Sequence, residues 1–189
     1  MRIPPALGRM RPVRAPSASR QRDRPMLRIR PATREDVPVL LALIHELAAY
    51  ERKGHKAVVR ENDLARDGFG PDPKFRALLA EWEGEPAGYA STFYFYSTYE
   101  GRPALFIEDL FVLEKFRGKG IGKALLAEVA KLALKENCFG LRWEVLDWNR
   151  PAIEWYEKLG ATFMHERKAV AFDEASMRRM TGDPESRSC

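Results

Sequence analysis

Apolar residues recur along this chain with two periods, and the switches between them mark out the elements. Val37, Leu40, Leu41, Ile44, Leu47 and Ala48 return at helical spacing. Thr33-Arg34-Glu35-Asp36 just ahead of them is a capping-box-like start with Asp in place of Glu, so a helix is predicted there. Pro38 falls near the first turn, where it is tolerated. Residues 26–31 read as a short strand before this helix, and a second short helix is expected over 60–67, ending at Gly68. Residues 75–81 and 87–96 read as strands joined into a hairpin by the turn-like Trp82-Glu83-Gly84-Glu85-Pro86. An apolar run follows over 105–112, then a helix over 120–136 and a strand over 141–146. Asn149 and Pro151 start one more helix, which stops at Gly160. A last pair of strands, 162–165 and 168–172, is expected to close the sheet before a polar tail. This order fits an α/β fold, a three-layer sandwich on a mixed, mostly antiparallel sheet.

Between the apolar run and the next helix stands Arg117-Gly118-Lys119-Gly120-Ile121-Gly122. A strand, a glycine-rich turn and a helix start together make a seat for an anion. Glycines let the backbone come close to a ligand, and the unpaired N–H groups of the first helical turn point toward negative charge. A pyrophosphate is the expected guest. The loop is not a Walker A motif, because Arg117 stands where the first Gly is needed and Ala124 where the hydroxyl is needed. Nor is it a dinucleotide fingerprint, since Lys123 takes the third glycine position and the motif lies past the middle of the chain. It resembles the acyl-CoA loop of the GNAT acetyltransferases, whose (Gln/Arg)-x-x-Gly-x-(Gly/Ala) pattern is met by Arg117, Gly120 and Gly122.

Composition narrows the setting. At 189 residues the chain suits one sizeable core and is small for two ordinary domains. Its net charge of +5 suggests a nucleic-acid partner until the distribution is seen. Residues 1–25 hold seven of the 32 basic residues and one of the 27 acidic ones, leaving a nearly neutral body of 25 against 26. That leader is rich in Pro, Ser, Ala and Arg, and is expected to be disordered. It reads as dispensable, or as a start assigned upstream of Met10 or Met26, in preference to a nucleic-acid-binding arm. The folded domain is expected over 26–175, with a polar tail over 176–189. Cys138 and Cys189 fit no disulfide framework, which implies a reducing, cytoplasmic setting. His45, His55 and His165 show no metal spacing, and no apolar run reaches membrane-spanning length.

Over 26–172 the chain is similar to the diamine (spermidine/spermine-type) N-acetyltransferase family within the GNAT superfamily. The resemblance rests on Ile29-Arg30-Pro31-Ala32-Thr33, Tyr50-Glu51, Asp67-Gly68-Phe69-Gly70, Ile107-Glu108-Asp109-Leu110-Phe111-Val112, the glycine loop, and Trp148-Asn149-Arg150-Pro151 leading to Tyr156, in shared order. It implies a GNAT-type three-layer sandwich, acetyl-CoA as co-substrate without a metal, a small primary amine as acceptor, and a homodimer. The amine attacks the thioester directly and must first lose a proton, at a cost of ~4–5 kcal/mol for a lysine-like ammonium at neutral pH. Glu108 matches the carboxylate that accepts this proton, and Asp109 adds negative field. Strict alternation would place these two on opposite faces of one strand. Leu110, Phe111 and Val112 match the backbone that meets the cofactor, with the N–H groups of Phe111 and Val112 polarising the carbonyl. Tyr156 matches the acid that protonates the departing thiolate, although its spacing with Ile153 and Leu159 also suits core packing. Backbone N–H groups over 118–123 would hold the phosphates, with Arg117, Lys119 and Lys123 lending charge, and Asn149 matches a further cofactor contact. Tyr50 and Glu51 match acceptor contacts, and Glu100 would add a third negative charge.

One departure bears on the acceptor. The family's acidic Glu-Glu-Gly-Trp segment is replaced here by His165-Glu166-Arg167-Lys168, which disfavours a long polycation. A thialysine-like amino acid or a short diamine is equally admissible. Two rivals stand beside this reading: acetylation of a protein or peptide amine, and a non-catalytic acetyl-CoA-binding regulatory module.

Overall fold

The computed structural model describes residues 26–166 and 168–182. They fall into two compact units, one ending at Glu144 and the other beginning at Val145. The basic leader of residues 1–25 and Cys189 lie outside the described residues.

The first unit is built on strands β1 (Leu27–Pro31), β2 (Arg76–Trp82), β3 (Glu85–Ser97), β4 (Arg102–Val112) and β5 (Leu141–Trp143), in that spatial order. The first four pair antiparallel and β5 joins β4 in parallel. Helices α1 (Val37–Tyr50) and α2 (Glu61–Phe69) cover one face, and α3 (Ile121–Lys135) covers the other. On the α3 side Ile121, Leu125, Val129 and Ala133, one turn apart, meet Ala80, Ala90, Leu105 and Ile107. On the other side Val37, Leu40, Leu43 and Leu64 meet Ala77, Leu79, Tyr89 and Phe111. Successive residues such as Leu79 and Ala80 go to opposite cores, as the pleat requires. Each fully buried leucine contributes roughly 1.5–3 kcal/mol.

Arg30 of β1 donates two hydrogen bonds to Asp36, at 2.6 and 2.8 Å, and one to Glu81 of β2, at 2.9 Å. The Thr33 N–H donates to Asp36 at 2.8 Å and closes the predicted capping box. The guanidinium holds the Asp36 carboxyl well below the usual carboxylate range, so this network fixes the entry of α1 against the sheet. The hairpin turn is tighter than expected: Glu83 and Gly84, both at positive φ, make the two-residue connection, and Pro86 already lies in β3. Helix α2 runs past Gly68 to Phe69. Gly68 serves packing, because a Cβ there would come within 2.6 Å of the Phe75 ring.

In the second unit α4 (Arg150–Lys158) occupies the predicted place, while residues 162–165 and 168–172 form no strand. Strand formation needs a paired edge, and this segment leaves Val170 90% and Phe172 64% exposed. Where a polar tail was expected, α5 (Glu174–Thr181) is capped by Asp173, whose carboxylate accepts the Ser176 N–H at 2.8 Å. Gly182 ends it at φ 70°. Strand β5 also stops three residues earlier than predicted.

Candidate active site

Two strands hold β4 over residues 105–107, β3 on one side and β5 on the other. The antiparallel register then slips. Asp109 faces Ser91 while Ile107 faces Thr92, which leaves Glu108 as the extra residue of a β-bulge. The last parallel pair is Ile107 with Trp143, so beyond the bulge this edge of β4 has no strand partner among the described residues.

The bulge overturns the expected alternation of the two acids. Ile107 packs toward α3, yet Asp109, two positions on, turns with Phe111 and Tyr89 toward the α1 side. Both Glu108 and Asp109 feel the carboxylate of Glu51 at the C-terminal cap of α1. Partial desolvation, compounded by Asp109, Glu144 and Glu51, raises the Glu108 carboxyl above its usual range. Burial raises Asp109 as well, against the pull of the hydrogen bond from Ser91 and of the nearby Tyr89 hydroxyl. Ser91 Oγ donates to Asp109 Oδ2 at 2.9 Å and accepts from the Asp109 N–H at 3.1 Å. The buried Tyr89 hydroxyl approaches the same carboxylate without reaching full hydrogen-bond geometry to any described atom. Burial and the Asp109 charge hold this phenol well above its ordinary value.

Backbone directions downstream of the bulge follow from one contact. The Leu113 N–H donates to Ala87 O at 2.9 Å, and antiparallel pairing alternates, so Phe111 also turns its backbone toward β3. Gly88 agrees: a Cβ there would stand 2.3 Å from Phe111 O. Leu110 and Val112 therefore present their N–H groups to the open edge. This corrects the reading of Phe111 as a carbonyl-polarising donor; its ring packs edge-on to Tyr89, at 6.4 Å between centroids.

The loop after β4 runs through two glycines at positive φ into the start of α3. Gly118 and Gly120 sit at φ 77° and 79°, in open space, so glycine is needed there for the backbone angle alone. The Ala124 N–H donates to Gly120 O at 3.0 Å, and the N–H groups of Ile121, Gly122 and Lys123 precede that bond at the positive end of α3. Arg117 is engaged by its neighbours in the chain. Its Nε donates to Val112 O at 3.1 Å and its guanidinium lies 4.6 Å from the Tyr50 ring centroid, so it staples the loop to β4 and α1. Lys119 Nζ lies 4.6 Å from the Trp82 ring centroid, and Lys123 is exposed.

Of the expected acceptor residues, Tyr50 supports Arg117, and Glu51 pairs with Lys53 at 3.1 Å. Glu100 lies in the β3–β4 turn, at the far end of β4 and about 20 Å along the strand from Glu108, so it does not join the acids at the bulge. Lys53, Tyr89 and Ser91 escaped the sequence reading; a lone serine in an apolar strand was the available signal. In the second unit, Asn149 holds the N-cap position of α4 but its side chain makes no cap hydrogen bond. Tyr156 is buried beside Trp155, with 5.0 Å between ring centroids, and burial raises its phenol above the ordinary value. It therefore stays protonated at neutral pH. Among the described residues no cluster of His, Cys, Asp or Glu is placed to hold a metal, and no helix is long and apolar enough to cross a membrane.

A strand opened by a bulge above a glycine-rich helix start defines a class, and comparison with known proteins agrees. The Acetyltransferase (GNAT) family matches over residues 40–161, and the chain belongs to that family, whose members draw the acetyl group from acetyl-CoA. It is an N-acetyltransferase. It is 36% identical over 166 residues to the thialysine N-epsilon-acetyltransferase of Mus musculus, covering 82% of this chain and 97% of that one. It is 31% identical over 218 residues to the L-ornithine N5-acetyltransferase of Arabidopsis thaliana, covering 91% of this chain and 92% of that one. Among solved structures, an integron cassette protein from the mobile metagenome of V. cholerae superposes with a TM-score of 0.71 at 25% identity, covering 82% and 98%. An aminoglycoside acetyltransferase from an uncultured soil metagenomic sample shares the fold, with a TM-score of 0.68 at 18% identity over 78% of this chain and 96% of that one.

Proposed function

We propose that this enzyme acetylates the side-chain amine of a small basic amino acid of the thialysine or ornithine kind, with short diamines as the neighbouring acceptor class. The observation that carries the reading is the bulge at Glu108: Glu108 and Asp109 beside it both feel the Glu51 charge, and beyond it β4 pairs with no residue of β5. Asp109 attracts the acceptor ammonium. Glu108 takes its proton, directly or through water, and its raised affinity for protons narrows the gap to the amine. The freed amine lone pair forms the C–N bond at the acetyl carbonyl while the outward N–H of Val112 steadies the oxyanion. The C–S bond then breaks, and the CoA thiolate takes a proton from Tyr156, which the family resemblance assigns to this step. Backbone N–H groups of Gly118, Lys119, Gly120, Ile121, Gly122 and Lys123 serve the phosphates, with the side chains of Lys119 and Lys123 adding charge and Asn149 a further contact.

Two features favour an amino acid over a long polyamine. Lys53 offsets the charge of Glu51, which weakens a site for a second ammonium, and relatives named for thialysine and ornithine acetylation are among the matches. The family resemblance supports a homodimer, and the two cysteines without a disulfide framework support a reducing, cytoplasmic setting.

Thiol release from acetyl-CoA by the purified chain tests this, with thialysine, ornithine, lysine, putrescine, spermidine and a short basic peptide as separate acceptors. The expected order places thialysine or ornithine first. Turnover confined to the peptide would move the assignment to protein acetylation, and cofactor binding without turnover would make the chain a regulatory module.

A further inference from the structure

We infer that Ser91 is a positioning residue of the acceptor site, a clamp that fixes the Asp109 carboxylate and the bulge presenting Glu108. The inference rests on the acceptor-site reading above and adds a residue to it. Ser91 lies directly opposite Asp109 in the β3–β4 register, at the last pair before the slip. One hydroxyl makes two bonds to one residue: it donates to Asp109 Oδ2 at 2.9 Å and accepts from the Asp109 N–H at 3.1 Å. A bulge disrupts the ladder and leaves backbone groups without their regular partners. Here a side-chain hydroxyl bonds the N–H of the residue beside the extra one.

The consequence reaches the chemistry. Holding Oδ2 against the Ser91 hydroxyl locks the Asp109 side chain in one orientation and leaves Oδ1 to accept from an ammonium group. A hydroxyl donating to a carboxylate also favours its charged form, and so opposes the rise that burial imposes on Asp109. The groups facing Asp109 are Glu51 from α1, Tyr89 and Ser91 from β3, and Glu108 beside it in β4. Glu51 disfavours the charged carboxylate, while Ser91 and Tyr89 favour it. Ser91 is 7% exposed, so replacing it with alanine removes the hydroxyl's bonds to the Asp109 N–H and carboxylate in the interior.

The test uses the full chain with thialysine and acetyl-CoA, and compares wild type with Ser91→Ala, Ser91→Thr and Asp109→Asn. Ser91→Ala is expected to raise the thialysine KM by ~10-fold, as loss of a hydrogen bond to a charged group does. The acidic limb of kcat/KM should move to higher pH, because the carboxylate loses a donor that favoured its charged form. The acetyl-CoA KM should stay at its wild-type value, and Ser91→Thr, which keeps the hydroxyl, should restore both quantities. A Ser91→Ala variant with the wild-type limb and KM overturns the inference. So does one that loses thermal stability with an unmoved limb, since that is a structural role alone. Asp109→Asn separates the two levels: a wild-type thialysine KM there overturns the acceptor-site reading itself, whereas a raised KM there with an unchanged Ser91→Ala overturns only the clamp.

Discussion

Upstream of its bulge, β4 is held between β3 and β5, and Leu105 and Ile107 are sealed against α3 at 0% and 2% exposure. Downstream, the same strand keeps β3 but loses β5, and its side chains turn to acids and to backbone groups facing an open edge. One added residue, Glu108, separates the halves. The comparison teaches that the upstream half supplies stability and the downstream half supplies a place to bind. Extra pairing there would close the edge that the chemistry needs, so the fold keeps its rigidity next door instead.

Breaking the upstream half gives the largest expected effect. Leu105→Ala should cost about 2–5 kcal/mol of folding stability, seen as a lower denaturation midpoint, with both KM values unchanged in the folded enzyme. Altered substrate affinity at full stability would erase the distinction between the halves. Next comes the bulge residue. Glu108→Gln should lower kcat/KM by ~100-fold, and an unchanged kcat/KM would remove Glu108 from the proton transfer.

That variant has an opposite effect on stability. Glu108 binds its proton more tightly in the folded chain than in the unfolded one, because of desolvation and the neighbouring Asp109, Glu144 and Glu51. Its contribution to stability is thus greatest below the ordinary carboxylate value of about 4.3, and is lost as pH rises toward the raised folded value. Glu108→Gln should therefore melt higher than wild type at pH 7 and lose that advantage near pH 4. Equal melting temperatures at both pH values would show that the bulge carries no electrostatic strain.

A smaller change sharpens the downstream half. Gly88→Ala puts a Cβ within 2.3 Å of Phe111 O, so β3 and β4 must part beside Val112. Acetyl-CoA affinity should fall ~10-fold while the thialysine KM changes less, and calorimetric titration would read it. Lys53→Leu should have the mildest effect, shifting the ratio of spermidine to thialysine kcat/KM by a few-fold toward the polyamine as Glu51 regains its field. An unchanged ratio would remove Lys53 from acceptor choice.

Much of the upstream architecture was legible because it is written in periodicity. The helical stripe of α1, its Thr33–Asp36 cap and the alternating strands announce themselves locally. The glycine loop was legible for a related reason, since Gly118 and Gly120 are required by backbone angle, which constrains residue type. The bulge was not. Glu108 and Asp109 are plain in the sequence, but whether they share a face depends on where β3 slips against β4, and that is a tertiary property. Ser91 and Lys53 were missed with it, because their partners lie 18 and two residues away in geometries that only the register and the turn after α1 create. Arg117 shows a local role that the motif does not announce. Its motif position suggested a phosphate contact, while its neighbours Val112 and Tyr50 engage it locally. At the C-terminal end, the β-prone residues of 168–172 were read by propensity without a partner strand, and the Asp173 cap and Gly182 stop of α5 were passed over in a stretch judged only polar.

Amide hydrogen exchange with and without acetyl-CoA tests the division of β4 most directly. The account predicts new protection at Leu110, Val112 and the loop amides from Gly118 to Lys123, with Leu105 and Ile107 already protected and unchanged. Protection that appears upstream of Glu108 and spares both the open edge and the loop would contradict it.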